Sequence, residues 1–550
     1  MTSMNLKSVY AFAKEVHQKK TEKFIHYGTA GFRTNYEHLD HVMYRMGLLA
    51  VLRSRAKKGQ VIGVMITASH NPEVDNGVKL VDPAGEMLEK SWEEIATKLA
   101  NVPDNDLQKE IEKIIKEQNI DNNIKAPVYV GMDTRYHSPM LAKSVINGIV
   151  TLRGTPTDFG IVTTPMLHYF VVCANTNNTY GQPTEEGYYN KLINSFKNLR
   201  GATFENGHYR KKVLFDGANG VGALKMLSFA RKLEPCLEIE VLNKNGKINY
   251  NCGADFVKVQ QTFPLSFEDV KPGTRCVSVD GDADRVVYFY KNENEEFVLL
   301  DGDRIATLLA SYLIDLIRKI GINLKLGIVQ TAYANGASTD YIVKELKVPV
   351  ACVPTGVKHL HHKALEYDIG CYFEANGHGT IIFSTPAKTA ILNASEDESL
   401  SDAARTAAKK LLSTINLINE TVGDAISDML LVETVLHAMG WDLKQWHNLY
   451  EDLPNLQLKV KVKDRNVITT TDAERKCVNP EGLQDEIDRL VEKYARGRAF
   501  VRPSGTEDVV RVYAEAKNQK DALHLAYEVA KVTYQMAGGV GDEPQLPNSL

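Results

Sequence analysis

Short apolar runs recur along the chain to about residue 440, separated by longer stretches in which apolar positions return every three or four residues. Val61-Ile62-Gly63-Val64-Met65-Ile66, Val128-Tyr129-Val130, Val213-Leu214-Phe215, Cys276-Val277-Ser278-Val279 and Leu326-Gly327-Ile328-Val329 read as buried strands. Each ends in a turn rich in Gly, Asp or Thr. Strands alternating with amphipathic helical stretches predict α/β layers. In open parallel sheets ligands sit beyond the carboxyl ends of strands, so those turns are where chemistry is expected.

The pattern also predicts boundaries. Residues 175–210, rich in Asn, Thr, Gly and Tyr, read as a connecting insertion with some helix and mark the first one. The tetrapeptide Asp301-Gly302-Asp303-Arg304 precedes a helical run over 305–316 and is accounted for as a helix start with acidic first-turn residues. A second boundary falls at 451–454, and the hundred or so residues beyond it mix strand and helix periods, as in a separate α+β domain. The Gly- and Pro-bearing tail 538–550 is expected to be disordered. There is no internal repeat and no low-complexity block.

Composition narrows the class without naming a chemistry. At 550 residues the chain is too long for one core, and three or four domains are expected. A hydrophobic fraction of 43%, a charged fraction of 24% and a net charge of −4 fit a globular protein and give no reason to expect nucleic acid as a partner. No window offers the roughly 18 uninterrupted apolar residues of a membrane span, and residues 1–20 lack the apolar core of a signal peptide. The seven cysteines are scattered and form no Cys-x-x-Cys pair, so reduced thiols in a cytoplasmic setting are expected.

The most specific candidate chemistry is Asp280-Gly281-Asp282-Ala283-Asp284-Arg285, directly after a predicted strand. In an extended loop the side-chain period of two points all three carboxylates to one side. Such a cluster is best neutralised by a hard divalent cation such as Mg²⁺, Mn²⁺ or Ca²⁺. The positions an EF-hand reserves for Gly and Glu hold Arg285 and Lys291, which argues against a calcium loop of that type.

Four weaker signals accompany it. Thr67-Ala68-Ser69-His70-Asn71-Pro72 follows the first predicted strand and offers an exposed serine as nucleophile or phosphate carrier; ordinary turn chemistry explains the same residues. Arg502-Pro503-Ser504-Gly505-Thr506-Glu507, with Arg511 beyond, combines planar guanidinium forks, hydroxyl donors and a Gly that lets backbone N–H groups approach a phosphate. Glu374-Ala375-Asn376-Gly377-His378-Gly379 places a carboxylate and an amide where vicinal sugar hydroxyls could be bound. Tyr27-Gly28-Thr29-Ala30-Gly31-Phe32-Arg33 is a Gly-rich turn that could wall such a site. The run His359-Leu360-His361-His362 reads as a polar helix face rather than a metal site.

Together, these five motifs resemble the α-D-phosphohexomutase superfamily, and the resemblance spans residues 27 to 511. Two details resemble its acetylglucosamine branch. Gly131-Met132-Asp133-Thr134-Arg135 follows the serine loop instead of preceding it, and Asn376 stands where many glucose and mannose mutases carry serine. The resemblance implies four domains in a heart shape, three related α/β domains and a smaller α+β one, expected at 1–200, 201–300, 301–452 and 453–550. It implies an isomerase that interconverts N-acetylglucosamine 6-phosphate and 1-phosphate, upstream of UDP-N-acetylglucosamine, through a bisphosphate intermediate. Ser69 would be the phosphoserine, and its oxygen would join Asp280, Asp282 and Asp284 around one Mg²⁺. Glu374, Ala375 and Asn376 would hold the sugar. Arg502, Pro503, Ser504, Gly505, Thr506 and Arg511 would hold the phosphate that is not reacting. Lys79, His70 and Arg33 are the acid–base and charge-stabilising candidates, and Arg285, Thr355, Gly356, Lys358 and His378 are further site candidates. The alternatives on the same scaffold are a glucose or mannose phosphomutase, a non-catalytic sugar-phosphate sensor and a metal phosphatase.

Overall fold

The structure, a computed structural model, describes residues 12, 15–28, 30–505 and 508–546. The chain forms two compact units: Met1–Asp301 with Asn376–Ile381 and Lys409–Lys444, and Gly302–Ala375 with Ile382–Ala408 and Gln445–Leu550.

The first unit is built on two five-stranded sheets. The first contains β1 (Phe32–Asn35), β2 (Ile62–Ile66), β3 (Asp75–Val81), β4 (Pro127–Met132) and β5 (Thr155–Ile161), in the order β1-β3-β2-β4-β5. Every residue of β2 is buried, as expected for a continuous apolar run at the centre of a sheet covered on both faces. Strand β2 runs parallel to β4, with Ile66 opposite Met132, so the turns that follow the two strands emerge side by side. The second sheet contains β6 (Lys212–Asp216), β7 (Glu238–Leu242), β8 (Cys276–Val279), β9 (Val286–Lys291) and β10 (Phe297–Leu300), in the order β10-β9-β8-β6-β7. In both sheets three parallel strands are extended on one side by two antiparallel ones.

Helices Asp40–Ala56 and Ser138–Thr151 cover the first sheet and supply most of its core, with Leu48, Leu52, Leu141, Val145 and Ile149 fully buried. The helix Thr164–Asn175 starts where its sequence says it should. Thr163 caps it by accepting a hydrogen bond from Met166 N at 3.1 Å, and Pro165 lies in the first turn. The helix expected within the segment 175–210 is present. It is the helix Glu185–Arg200, which buries Tyr188, Leu192 and Phe196, and the Tyr188 hydroxyl donates to Asp424 at 2.9 Å.

In the second unit β11 (Leu326–Thr331) runs parallel to β12 (Val350–Val353) and β13 (Ile369–Phe373). The helix Gly302–Ile320 lengthens the predicted run at both ends. The C-terminal part is α+β, as expected. Strands β15 (Asn455–Lys461), β18 (Arg498–Pro503) and β19 (Val509–Glu515) form an antiparallel sheet in the order β15-β19-β18, packed with helices Leu483–Val491 and Gln519–Met536 around Val460, Ile487, Val501, Val512, Leu525 and Val529. The smaller sheet pairs β16 (Thr469–Thr471) with β17 (Lys476–Asn479). The tail departs from expectation: Gly539 bridges to Val462, and Val540 N donates to Lys461 O at 2.9 Å. All seven cysteines are free thiols, and among the described residues no helix is long and apolar enough to cross a membrane.

Candidate active site

In the first unit the loops that follow β2, β4 and β8 converge. Ser69 adopts φ of 52°, a left-handed conformation uncommon for a residue with a Cβ. Two residues from distant segments hold it there. Arg135 Nη2 donates to Ser69 O at 3.1 Å and to Asn71 O at 2.9 Å, and Arg135 Nη1 donates to Pro72 O at 2.8 Å. Asn249 Nδ2 donates to Ser69 O at 2.8 Å. Ser69 was expected to be exposed; it is buried, because the Asp280 loop lies against it and the Ser69 hydroxyl donates to Asp280 Oδ2 at 2.7 Å.

The three aspartates are brought together, but not by an extended loop. Ala283 has φ of 58° and its N–H donates to Asp280 O at 3.1 Å, so the segment turns back on itself. One carboxylate oxygen from each of Asp280, Asp282 and Asp284 lies within 4.8 Å of the others, and all three residues are buried. Asp280 Oδ1 accepts from the backbone N–H of Asp284 at 3.0 Å and of Arg285 at 3.2 Å. Asp282 Oδ1 and Asp284 Oδ1 are shut from water and accept no hydrogen bond. Buried anionic oxygens without donors are costly, and an all-oxygen set of this kind fits a hard divalent cation such as Mg²⁺.

Basic groups surround the triad. Lys79 Nζ, on β3, lies 3.4 Å from Asp282 Oδ2 and 3.3 Å from Asp284 Oδ2. His378 Nδ1 stands 3.4 Å from Asp284 Oδ1, and Arg285 Nε is 3.8 Å from Asp280 Oδ2. Burial, then the charges of Asp284 and Asp282, hold the Asp280 carboxyl well above the usual carboxylate range. Burial would raise Asp284 as well, but His378 and Lys79 bring it well below that range. Burial, reinforced by repulsion from Arg285, lowers the Arg33 guanidinium. His70 points elsewhere: its Nδ1 is 3.4 Å from Asp255 Oδ1, and Arg285 followed by burial lowers its imidazolium.

The loop expected to hold the sugar begins at Glu374, half-buried at the end of β13 in the second unit, where Ala375 O accepts from Gly302 N at 3.3 Å. Its remainder lies in the first unit. Asn376 Oδ1 accepts from His378 N at 3.0 Å, and Gly377 has φ of 87° with Val286 O so close that a Cβ would stand 1.9 Å from it. Only glycine fits that turn.

The loop expected to bind phosphate joins β18 to β19. Arg502 pairs directly with Arg511 across these strands, and Arg511 pairs with Lys459 on β15, so three cations stand in one row of the sheet. Like charges opposite one another oppose pairing, so the row favours a bound anion. Arg502 Nε donates to the Tyr333 hydroxyl at 3.0 Å, and Arg502 Nη1 is 3.7 Å from Glu474 Oε1. Glu474 also accepts from Thr355 N at 2.9 Å and from the Thr355 hydroxyl at 2.5 Å. Gly356 and Lys358 follow at the start of the helix Val357–Ala364, the Pro503 carbonyl accepts from Arg502, and Ser504 N donates to Val509 O at 2.9 Å. Space is open above Gly505, where a Cβ would meet nothing within 4 Å, and Thr506 lies outside the described residues. In the helix Val357–Ala364, His361 Nδ1 is 3.3 Å from the Tyr372 hydroxyl; the Asp280, Asp282 and Asp284 group is the only candidate metal cluster among the described residues.

The structure thus gathers Ser69, Lys79, Asp280, Asp282, Asp284, Arg285 and His378 in the first unit, and Thr355 and Arg502 in the second. Sequence reasoning missed Thr164, whose hydroxyl reaches Asp282 Oδ2 at 2.5 Å, along with Asn249 and Glu474. The Thr163-Thr164-Pro165 segment signals a helix start, but no local pattern tells what that start faces.

Family models match four successive stretches: phosphoglucomutase/phosphomannomutase alpha/beta/alpha domain I over 50–106 and 105–178, phosphoacetylglucosamine mutase AMG1 domain II over 178–287 and domain III over 301–441, and the phosphoglucomutase/phosphomannomutase C-terminal domain over 458–532. The phosphoacetylglucosamine mutase of Homo sapiens is 54% identical over 532 residues, covering 96% of this chain and 97% of its own length. The crystal structure of Aspergillus fumigatus N-acetylphosphoglucosamine mutase in complex with GlcNAc-6P and magnesium is 46% identical with a TM-score of 0.92, over 96% of this chain and 99% of that one. A crystal structure of N-acetylglucosamine-phosphate mutase in the product complex gives 45% identity and a TM-score of 0.91, over 96% of this chain and 100% of that one. The chain belongs to the phosphoacetylglucosamine mutase family of the α-D-phosphohexomutase superfamily.

Proposed function

We propose that this protein interconverts N-acetylglucosamine 6-phosphate and N-acetylglucosamine 1-phosphate through a phosphorylated Ser69. The observation that carries the reading is the Ser69 hydroxyl, 2.7 Å from Asp280 in a buried carboxylate triad, within a chain 54% identical to a phosphoacetylglucosamine mutase along nearly its whole length. The phosphoryl group on Ser69 passes to the free hydroxyl of the sugar monophosphate. The Ser69 Oγ–P bond breaks as the new P–O bond forms. The hydroxyl's proton travels by way of Lys79 Nζ to Ser69 Oγ. The bisphosphate turns over and its other phosphoryl group returns to Ser69, which reverses the proton path.

The geometry supports the following roles. Asp280, Asp282, Asp284 and the Ser69 oxygen would hold one Mg²⁺, which when bound neutralises charge on the transferring group. Lys79 Nζ reaches the triad, whereas His70 faces Asp255, so Lys79 is the better placed of the two for proton exchange at Ser69. Half-buried Arg33 is the candidate for stabilising charge near the triad. Glu374 and Asn376 bind the sugar hydroxyls, and the row of Arg502 and Arg511 binds the phosphate at rest. We divide the chain into domains at 1–200, 201–300, 301–452 and 453–550. Seven free thiols favour the reducing cytoplasm.

The test is ³¹P NMR with Mg²⁺, a trace of hexose bisphosphate, and N-acetylglucosamine 6-phosphate and glucose 6-phosphate offered together. N-acetylglucosamine 1-phosphate should appear first, and Ser69→Ala should reduce turnover to background. Faster conversion of the glucose compound, or inorganic phosphate alone, would overturn the reading.

A further inference from the structure

Asp282 differs from Asp280 in how its carboxylate is held. Both oxygens of Asp280 accept hydrogen bonds, one from backbone N–H groups and one from Ser69. On Asp282 all the donors meet one oxygen. Oδ2 accepts from the Thr164 hydroxyl at 2.5 Å and from Lys79 Nζ at 3.4 Å, while Oδ1 is buried and accepts nothing. Thr164 makes a second bond to the same residue, its backbone N–H donating to Asp282 O at 3.2 Å. One residue therefore fixes both the main chain and the carboxylate of an aspartate 118 positions away.

Helix capping does not explain this hydroxyl. The helix Thr164–Asn175 is already capped by Thr163, whose oxygen accepts from Met166 N. Thr163 and Thr164 are both fully buried, so Thr164 does not serve solubility either. A buried hydroxyl donating to one carboxylate oxygen sets the plane of the carboxylate and presents the other oxygen. Partners of this kind behind a ligand govern metal affinity.

We infer that Thr164 is a positioning residue for the divalent cation: it ties down Asp282 Oδ2 so that Oδ1 is aimed at the ion. This rests on the cation reading of the triad. Thr164→Val keeps the shape and the backbone bond while removing the hydroxyl, and Thr164→Ser restores the hydroxyl.

The test is a titration of the full chain with Mn²⁺, following the free ion by electron paramagnetic resonance, with Mg²⁺ as competitor. Thr164→Val should weaken binding by roughly 10- to 100-fold, as expected for loss of a partner behind a ligand, and Thr164→Ser should bind within about threefold of the natural chain. Turnover lost in Thr164→Val should return at high Mn²⁺, a rescue that a merely structural defect would not show. If Thr164→Val does not fold, Thr164→Ala is read in the same way with the same expectation. Equal affinity in the folded hydroxyl-free variant overturns the role of Thr164 while leaving the cation reading intact. Failure of the natural chain to bind Mn²⁺ overturns the cation reading itself.

Discussion

At the scale of single residues the site is a matter of charges that need partners. Arg502 and Arg511 face each other across β18 and β19, and Lys459 continues the row. Arg502 meets this by leaning on Tyr333 and approaching Glu474, contacts that a phosphate dianion can outcompete with shorter charge-assisted bonds. Arg502→Ala should therefore raise KM for the sugar phosphate by about 10- to 100-fold, the worth of one or two hydrogen bonds to a charged group, with a smaller change in kcat. Steady-state kinetics check this, and an unchanged KM would remove Arg502 from the phosphate site. Much of the site was legible at this scale because ligands to one ion or one phosphate fall in short runs. The triad and the arginine loop can be read from spacing alone. The burial of Ser69 could not be, because the Asp280 loop that covers it comes from another part of the chain.

At the scale of elements, the first sheet depends on how closely two helices approach. In the helices Asp40–Ala56 and Ser138–Thr151 the backbones touch: a Cβ on Gly148 would stand 2.0 Å from Tyr44 O, and one on Gly47 would stand 2.1 Å from Val145 O. Main-chain atoms cannot swing aside as a flexible side chain can, so Gly148→Ala must push the helices apart and open the core between them. The expected cost is about 3 kcal/mol, the upper end for overpacking, seen as a lower urea midpoint. An unchanged midpoint would show that the crossing yields cheaply. The same helix shows why elements were unequally legible. Strands such as β2 and β8 announce themselves as continuous apolar runs ending in polar turns. The helix Asp40–Ala56 is buried on nearly every side and has no polar face to give it a period. Its arginines are buried because each finds acceptors: Arg53 bonds Asp82 at 2.8 Å, Arg45 bonds Ala100 O at 2.9 Å, and Arg55 bonds Leu152 O at 2.8 Å. The helix Glu185–Arg200 is harder to read because Tyr188, Tyr189, Ser195 and Arg200 stand among its buried positions and look polar in a composition count.

At the scale of the whole chain, pH acts on the folding equilibrium through groups that burial keeps neutral. Burial brings His41 and His168 down to about 3, and His361 and His437 down to about 4. The sign follows from proton counting. An unfolded histidine takes up a proton near pH 6.5, whereas these four stay neutral in the fold until far lower pH. Between those values the unfolded state binds more protons, so stability is lost as pH falls from about 6.5 toward 4, by about 1.4 kcal/mol per histidine for each pH unit. The buried acids Asp216, Asp424 and Asp428 pull the other way, because burial raises them and the fold then gains protons on acidification. Total stability against pH mixes the two, and a difference between variants separates them. His41→Gln removes one titrating site inside the helix Asp40–Ala56 and leaves the acids in place. The stability gap between the natural chain and this variant, taken from urea unfolding, should shift against the natural chain by about 1.4 kcal/mol between pH 7.5 and pH 5.5. A gap that stays constant over that interval would mean that His41 takes up its proton in the fold as readily as in the unfolded chain, and that the acid sensitivity of this protein comes from elsewhere.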